Sequence, residues 1–323
     1  MGSAGCGRSR PEGPPMKLTM RGYRDEEDYQ RVRDFLRHVF LVNGQREHSW
    51  HVCRFDYWRW HGIENERHFR INEAVLIWET EDGRIAAVLN PEGRGEAFLQ
   101  VHPDLRTLEL EEEMIGIAED HFSFVTQDGN RSLRIWADQH DELRHGILAR
   151  RGYAKGEISE HQRRRSLDVP IQNVPVPTGY VVRALGGDDE LPARSWASWR
   201  AFHPDKPENQ YEGWEWYRNI QRAPLYRRNL DMVSVAPAGE VSSFCTVWFD
   251  DITLTAYFEP VGTVPEHRRR GLGKAVMSEG LRRLKRLGAT AAYVGSYSPE
   301  AHALYSSVGF MEINLSEIWT KNL

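Results

Sequence analysis

The sequence predicts an α+β protein (an α/β sandwich) in which one mixed sheet flanked by helices is written twice. Three observations carry that expectation. First, two segments match in order at several places. Gly152–Glu160 lies over Gly309–Glu317 with its Gly, Ser and Glu identical, and just upstream His145 falls on His302 and Leu148 on Tyr305. Further back, at a slightly longer spacing, Pro103–Arg106 lies over Pro265–Arg268, and Leu18–Arg21 over Tyr180–Arg183. A match held in order along the chain argues for an internal duplication, with Gln127–Asn130 as the loop that holds the extra residues of the first copy. Second, Val169–Thr178 has three prolines and no helical period, which reads as a stiff joint. Third, the second copy reads in the order βααβββαβαββ, a mixed sheet with helices on its faces.

The elements follow from local signals. Tyr180–Ala184 reads as a strand. Asp188–Phe202 reads as a helix with an acidic start, and Tyr211–Gln221 as a second helix. Leu230–Ala236, Val241–Phe249 and Leu254–Val264 read as strands, the first two joined by a turn at Pro237–Gly239. Gly273–Leu287 reads as a helix closed by Gly288, followed by a strand at Ala291–Val294, a helix at Pro299–Val308 and a last strand pair within Phe310–Lys321. The expected division is a disordered extension at 1–15, a first domain at 16–168, a linker at 169–178 and a second domain at 179–323.

Composition narrows the function. The chain of 323 residues suits two domains, and its 28% charged and 40% hydrophobic residues mark an ordinary globular protein. A net charge of −5 argues against bulk nucleic-acid binding, and no apolar run is long enough for a membrane helix. Three widely spaced cysteines, Cys6, Cys53 and Cys245, fit neither a disulfide framework nor a zinc site. They suit a reducing cytoplasm, and no metal is expected.

The chemistry sits in Glu259–Lys274. Here a strand runs into a turn bearing Gly271 and Gly273, and the turn opens a helix. Outward-facing N–H groups, the helix dipole, and Arg268, Arg269, Arg270 and Lys274 together suit a pyrophosphate. The spacing fails both the nucleoside-triphosphate loop and the dinucleotide fingerprint. Arg-x-x-Gly-x-Gly after an apolar strand instead resembles the acetyl-CoA loop of the GNAT acyltransferases. The resemblance is strengthened by Leu304-Tyr305 ahead of Gly309-Phe310, and by Glu259–Gly262, which is similar to the strand of a tandem-GNAT group. It covers essentially residues 16–323, strongly in the second half.

The resemblance implies acetyl-CoA as co-substrate, bound by Val261, Gly262, Thr263, Val264, Arg268, Arg269, Arg270, Gly271, Leu272, Gly273, Lys274 and Ser298. It also implies Tyr305 as general acid toward the leaving thiolate and Glu259 as candidate base, with His203, His267 and His302 as alternatives for the base. Ser298 stands where many members have asparagine, and with Pro299 it preserves the helix start. Arg282, Arg283, Lys285 and Arg286 read as helix-end cations rather than a nucleic-acid patch. In the first half, Glu109 and Glu111 occupy the places of the two glycines and Leu148 that of the tyrosine. That half is therefore expected to bind no cofactor, because about four negative charges would stand where the anion binds.

The expected acceptor is a primary amine of a small molecule, on a monomer or homodimer. Its pocket is expected to be walled by some of Trp196, Trp199, Phe202, Trp214, Trp216, Tyr217 and Tyr226, with Asp205, Glu208 and Glu215 offering charge. The competing readings are a non-catalytic acyl-CoA-binding or interaction protein, and a protein N-acetyltransferase.

Overall fold

The computed structural model describes residues 17–323, so the expectations for the extension at 1–15 and for Cys6 lie outside it. The first half runs β1 (Leu18–Gly22), α1 (Glu26–Val42), α2 (Val52–Tyr57), α3 (Ile71–Ala74), β2 (Leu76–Thr80), β3 (Ile85–Asn90), β4 (Glu96–Val101), α4 (Leu108–His121), β5 (Phe124–Val125), β6 (Arg131–Asp138), α5 (Glu142–Arg150) and β7 (Ala154–Ser166). The second half runs β8 (Val181–Ala184), α6 (Leu191–Phe202), α7 (Glu215–Ile220), β9 (Asp231–Val235), β10 (Val241–Asp250), β11 (Thr255–Thr263), α8 (Leu272–Arg286), β12 (Ala291–Ser296), α9 (Pro299–Ser307) and β13 (Glu312–Asn322). A π-helical stretch, Trp58–Glu66, continues α2. The mixed sheet flanked by helices is thus present, and the order of the two halves matches element for element apart from the extra helix and strand, α3 and β5, of the first.

One continuous sheet spans the chain in the order β1-β2-β3-β4-β6-β13-β7-β12-β11-β10-β9-β8, with β5 paired to β6 off this path. The two halves exchange their last strands. β7 pairs antiparallel with β12 of the second half, from Ser166 opposite Ala291 to His161 opposite Ser296. β13 pairs with β6 of the first half, from Ser316 opposite Asp138 to Asn322 opposite Ser132. The last strands also pair with one another. The strand pair expected within Phe310–Lys321 is therefore a single strand: β13 already has a partner on each side, and its sequence holds no turn. The helix expected over Tyr211–Gln221 shortens to α7, because Gly213 sits at a φ of 101° just before it.

The exchange is sealed by a core common to both halves. Phe40, Val52, Cys53 and Trp60 pack in one cluster with Leu191, Phe244, Trp248, Tyr257 and Tyr293. The Arg37 guanidinium reaches across to fully buried Asp250 at 2.8 Å. Two residues from different halves thus satisfy each other where neither has water, and losing one would strand the other. Among the described residues, no helix is long and apolar enough to cross a membrane.

Candidate active site

The site begins with an irregularity in β11. Against β10, Cys245 faces Val261 and Val247 faces Phe258, so Glu259 and Pro260 together oppose Thr246 alone. This is a bulge, and Pro260 brings no N–H to the ladder. The Trp248 indole N–H donates to the Glu259 carbonyl and holds the bulge from beneath. On its other side β11 pairs with β12 only from Thr255–Ala291 to Tyr257–Tyr293. Beyond that point the two strands diverge and a groove opens between them.

The groove encloses about 880 Å³ and runs from β11 along the start of α8 to α9. Ten of the twelve residues expected at the cofactor line it: Val261, Gly262, Thr263, Arg268, Arg269, Gly271, Leu272, Gly273, Lys274 and Ser298. The other two lie elsewhere. Val264 packs into the shared core, and Arg270 turns outward to donate to the Tyr180 hydroxyl at 3.1 Å. Arg268 is already engaged, donating to the carbonyl oxygens of Ala201 at 3.0 Å and Thr263 at 3.2 Å. Ser298 caps α9 by accepting from the Ala301 N–H.

The start of α8 is bare. Gly271 is its N-cap, at a φ of 78°, and no side chain accepts from the first N–H groups. A Cβ on Gly273 would meet Leu304 and Thr263 only at ordinary contact distance, 3.4 Å. Packing therefore does not demand glycine there. Gly262 differs, since a Cβ on it would fall 2.4 Å from the Phe244 ring.

A second cavity of about 440 Å³ meets the groove. Phe202, Val261, Gly295, Tyr297 and Tyr305 line both. Tyr305 is 7% exposed. Burial and the nearby Glu259 push its hydroxyl pKa further above the ordinary tyrosine value, so it keeps its proton at neutral pH. Glu259 lines the cavity, and among the described residues its carboxyl has no hydrogen-bond partner. Burial pushes its pKa up to about 8; Glu92 and Glu160 add to the shift, and Arg54 opposes it.

The walls of this cavity differ from those expected. Of the seven aromatics named from the sequence only Phe202 lines it, and the rest of the aromatic wall is Tyr57, Tyr257, Phe258, Tyr297 and Tyr305. Trp196, Trp199 and Tyr211 pack on one another. Trp214 and Trp216 pack on the shared core. Tyr217 and Tyr226 donate to buried Asp231, which also pairs with Arg194. These six are structural. Asp205, Glu208 and Glu215 do not line the cavity, and its charge comes from Arg54, Glu92, Glu160 and Glu259. His203 stacks on Trp199, His302 stacks on His161 at 3.9 Å between ring centroids, and His267 lines the groove while bonding Tyr180.

Arg54, Tyr57, Glu92 and Glu160 belong to the first half, and sequence reasoning assigned none of them to the site. The repeat did pair Glu160 with Glu317, but it could not reveal that β7 crosses into the other half's sheet.

At the corresponding place in the first half, α4 is capped: Thr107 accepts from the Leu110 N–H. Glu111, where the second half has Gly273, is fully buried. It is gripped by Arg144 through two bonds, at 3.0 and 2.9 Å, and by Arg106. Arg106 Nη2 also donates to both carboxylate oxygens of Asp141, each at 2.7 Å. The expectation of about four unbalanced negative charges there is thus corrected: Glu109 and Glu113 are exposed, and the one inward carboxylate is neutralised. Burial alone raises the Glu111 pKa, but Arg144 and Arg106 outweigh it and hold the group below its ordinary value. This half fills its anion place with its own carboxylate.

Comparison with known proteins agrees with this geometry. Residues 191–310 match the family model described as "Acetyltransferase (GNAT) family". The chain is 28% identical over 224 residues to a mycothiol acetyltransferase of Salinispora arenicola (strain CNS-205), covering 66% of this chain and 68% of the relative. The fold is similar to a GCN5-related N-acetyltransferase from Sphaerobacter thermophilus, with a TM-score of 0.65 and 15% identity over 94% of this chain and 95% of that one. It is also similar to a tandem GNAT protein from the clavulanic acid biosynthesis pathway, with a TM-score of 0.64 and 15% identity over 95% and 98%.

Proposed function

We propose that the chain is a tandem member of the GNAT superfamily and an acetyl-CoA-dependent acetyltransferase, and that its second half acetylates a primary amine of a small molecule. Members of this family generally use acetyl-CoA. The groove suits it in shape and charge. Arg269, Lys274 and the free N–H groups at the start of α8 would hold the pyrophosphate. Gly273 leaves room for it, and the open edge of β11 beside Val261 would take the pantetheine arm. The thioester supplies the activated acetyl group.

In this reading Glu259 takes the proton from the attacking amine as nitrogen bonds to the acetyl carbon. Tyr305 gives its proton to the sulfur as the carbon–sulfur bond breaks, so that an amide and a free thiol leave. A base with a pKa near 8 is well matched to this task. The observation that carries the reading is the junction of groove and cavity at Tyr305 and Val261, with Glu259 on the cavity side. The curated relative is named for mycothiol rather than for a protein, which supports a small acceptor. The duplicated units are taken as 16–168 and 179–323, joined by 169–178. The buried free thiols of Cys53 and Cys245 suit a cytoplasmic setting.

The test is to incubate the enzyme with acetyl-CoA and an amine panel, reading free thiol and product mass together. Acetylated small amines are the expected product. Acetyl groups found only on protein lysines would overturn the small-molecule reading.

A further inference from the structure

The acceptor cavity carries more negative charge than its one guanidinium balances, and most of that charge comes from the half that has no cofactor groove. Arg54 of α2 donates to Glu92 from Nε at 3.1 Å and from Nη2 at 2.7 Å, and to Glu160 Oε2 from Nη1 at 2.8 Å. Its guanidinium lies against both the Trp50 and the Phe98 ring, 5.1 and 5.2 Å from their centroids. Glu160 is 4% exposed, and among the described residues its second oxygen, Oε1, has no hydrogen-bond partner. That oxygen is aimed at Gly295, where a Cβ would come within 2.4 Å of it. Gly295 lines both groove and cavity, so its bare Cα leaves the oxygen open to whatever sits there. Three carboxyl groups thus face one guanidinium, and one of the three is a buried, half-satisfied carboxylate.

Resting on the acetyltransferase reading, we propose that the acceptor is a dication. One amine meets Glu259 and Tyr305 for acetylation, and a second cationic group is held by Glu92 and Glu160 of the first half. The placement supports this division of labour. Glu259, Glu92 and Glu160 all line the cavity and not the groove, with Glu259 on β11 two residues from Val261 and the other two on elements of the first half. Tyr57, Tyr257 and Tyr297 wall the space between, and aromatic faces add attraction for a cation. Burial is the main cause of the raised pKa of Glu259; Arg54 opposes it, and the negative charge of Glu92 and Glu160 adds to it. A cavity of about 440 Å³ has room for a short diamine. An acceptor bearing a carboxylate at its far end would be repelled. The degenerate first half then acts as the specificity half of the enzyme, delivering its charge through α2, the β3–β4 loop and the exchanged strand β7.

The experiment uses the full chain with acetyl-CoA and three matched series: α,ω-diamines of increasing length, the monoamines of the same lengths, and the corresponding ω-amino acids. Free thiol and product mass are read for each. The best diamine is expected to exceed its monoamine in kcat/KM by about tenfold or more, with ω-amino acids poorest, the size of effect a desolvated charge contact gives. Glu92→Gln keeps shape and leaves Arg54 its bond to Glu160, so the chain should fold. It should lower the diamine-to-monoamine ratio by about tenfold, chiefly through KM. Monoamines acetylated as well as diamines, or a ratio unmoved by Glu92→Gln, would overturn the dication while leaving the acetyltransferase reading intact. Thiol release with no member of any series would overturn both.

Discussion

The two halves solve the same problem at the same place in opposite ways. At the start of α8, Gly271 leaves the first N–H groups without a side-chain cap, and Gly273 leaves space above them. At the start of α4, Thr107 caps the helix and Glu111 puts a carboxylate into the space, held by Arg106 and Arg144. In the proposed reading the anion is supplied from outside in one half and from the chain itself in the other. The first half carries a buried ion-pair cluster where the second has an open groove. The difference teaches that a helix start can be closed by a single buried carboxylate with its own arginines while the fold is kept, and that the closed half still contributes side chains to the cavity of the other.

The comparison breaks most sharply at position 273. Gly273→Glu copies Glu111, but the second half has Ala301 where the first half has Arg144, so the new carboxylate stands in the open groove without the buried guanidinium that grips Glu111. Coenzyme A binding should fall by more than about a hundredfold, because the carboxylate takes the space and the cations that the pyrophosphate would use and repels its charge. The thermal midpoint should barely move. Calorimetry and a melting curve on the same sample check both, and binding kept within about threefold would show that the pyrophosphate lies elsewhere.

The missing hydroxyl of Leu148 gives the next test. Tyr305→Phe keeps the ring in its place beside Phe310 and removes only the proton donor. Turnover should drop about 10²–10⁴-fold with little change in the Michaelis constant for acetyl-CoA. Near-full turnover, with chemistry shown to limit the rate, would reduce Tyr305 to a wall of the groove.

Emptying the filled half is expected to cost stability rather than create a site. Glu111→Gln takes from buried Arg144 the nearer of its two carboxylate partners and leaves Asp141 at 3.7 Å, a loss of up to about 3–5 kcal/mol measurable by denaturant unfolding. The folded pKa of Glu111 lies below its unfolded value. Its stabilisation is therefore present above the unfolded pKa and is lost as pH falls through the lower folded value. The parent should weaken across that acidic window, and Glu111→Gln should lose that part of the dependence.

Glu259 runs the other way and gives the smallest effect. Its folded pKa of about 8 exceeds the ordinary carboxylate value of 4.5, so ionising it opposes folding increasingly as pH rises from 4.5 to 8. Glu259→Gln should stabilise the fold at pH 8, by ~1–3 kcal/mol after allowance for its partial exposure. The same variant should lose the activity limb that rises toward pH 8 in the parent. A melting series and a pH–rate profile check the two signs.

Much of this was legible in the sequence because it is local. The glycines at 271 and 273, the strand before them and the Tyr305 helix after them announce a groove through spacing alone. The repeat places Glu111 over Gly273 without any structure. What stayed hidden is non-local. Nothing in Ala154–Ser166 or Glu312–Asn322 states that each strand pairs with the other half's sheet, since an alternating strand suits either partner. For the same reason Arg54, Tyr57, Glu92 and Glu160 read as ordinary first-half residues. The tryptophans and tyrosines of α6 and α7 drew attention by number, yet buried Arg194 and Asp231 require their own aromatic neighbours.

The central claim is that one groove takes its anion from solution while its twin supplies its own. Isothermal titration of the full chain with coenzyme A tests it most directly. The account predicts a single site per chain in the parent and none in Gly273→Glu. Two sites per chain, or one site that persists in Gly273→Glu, would contradict it.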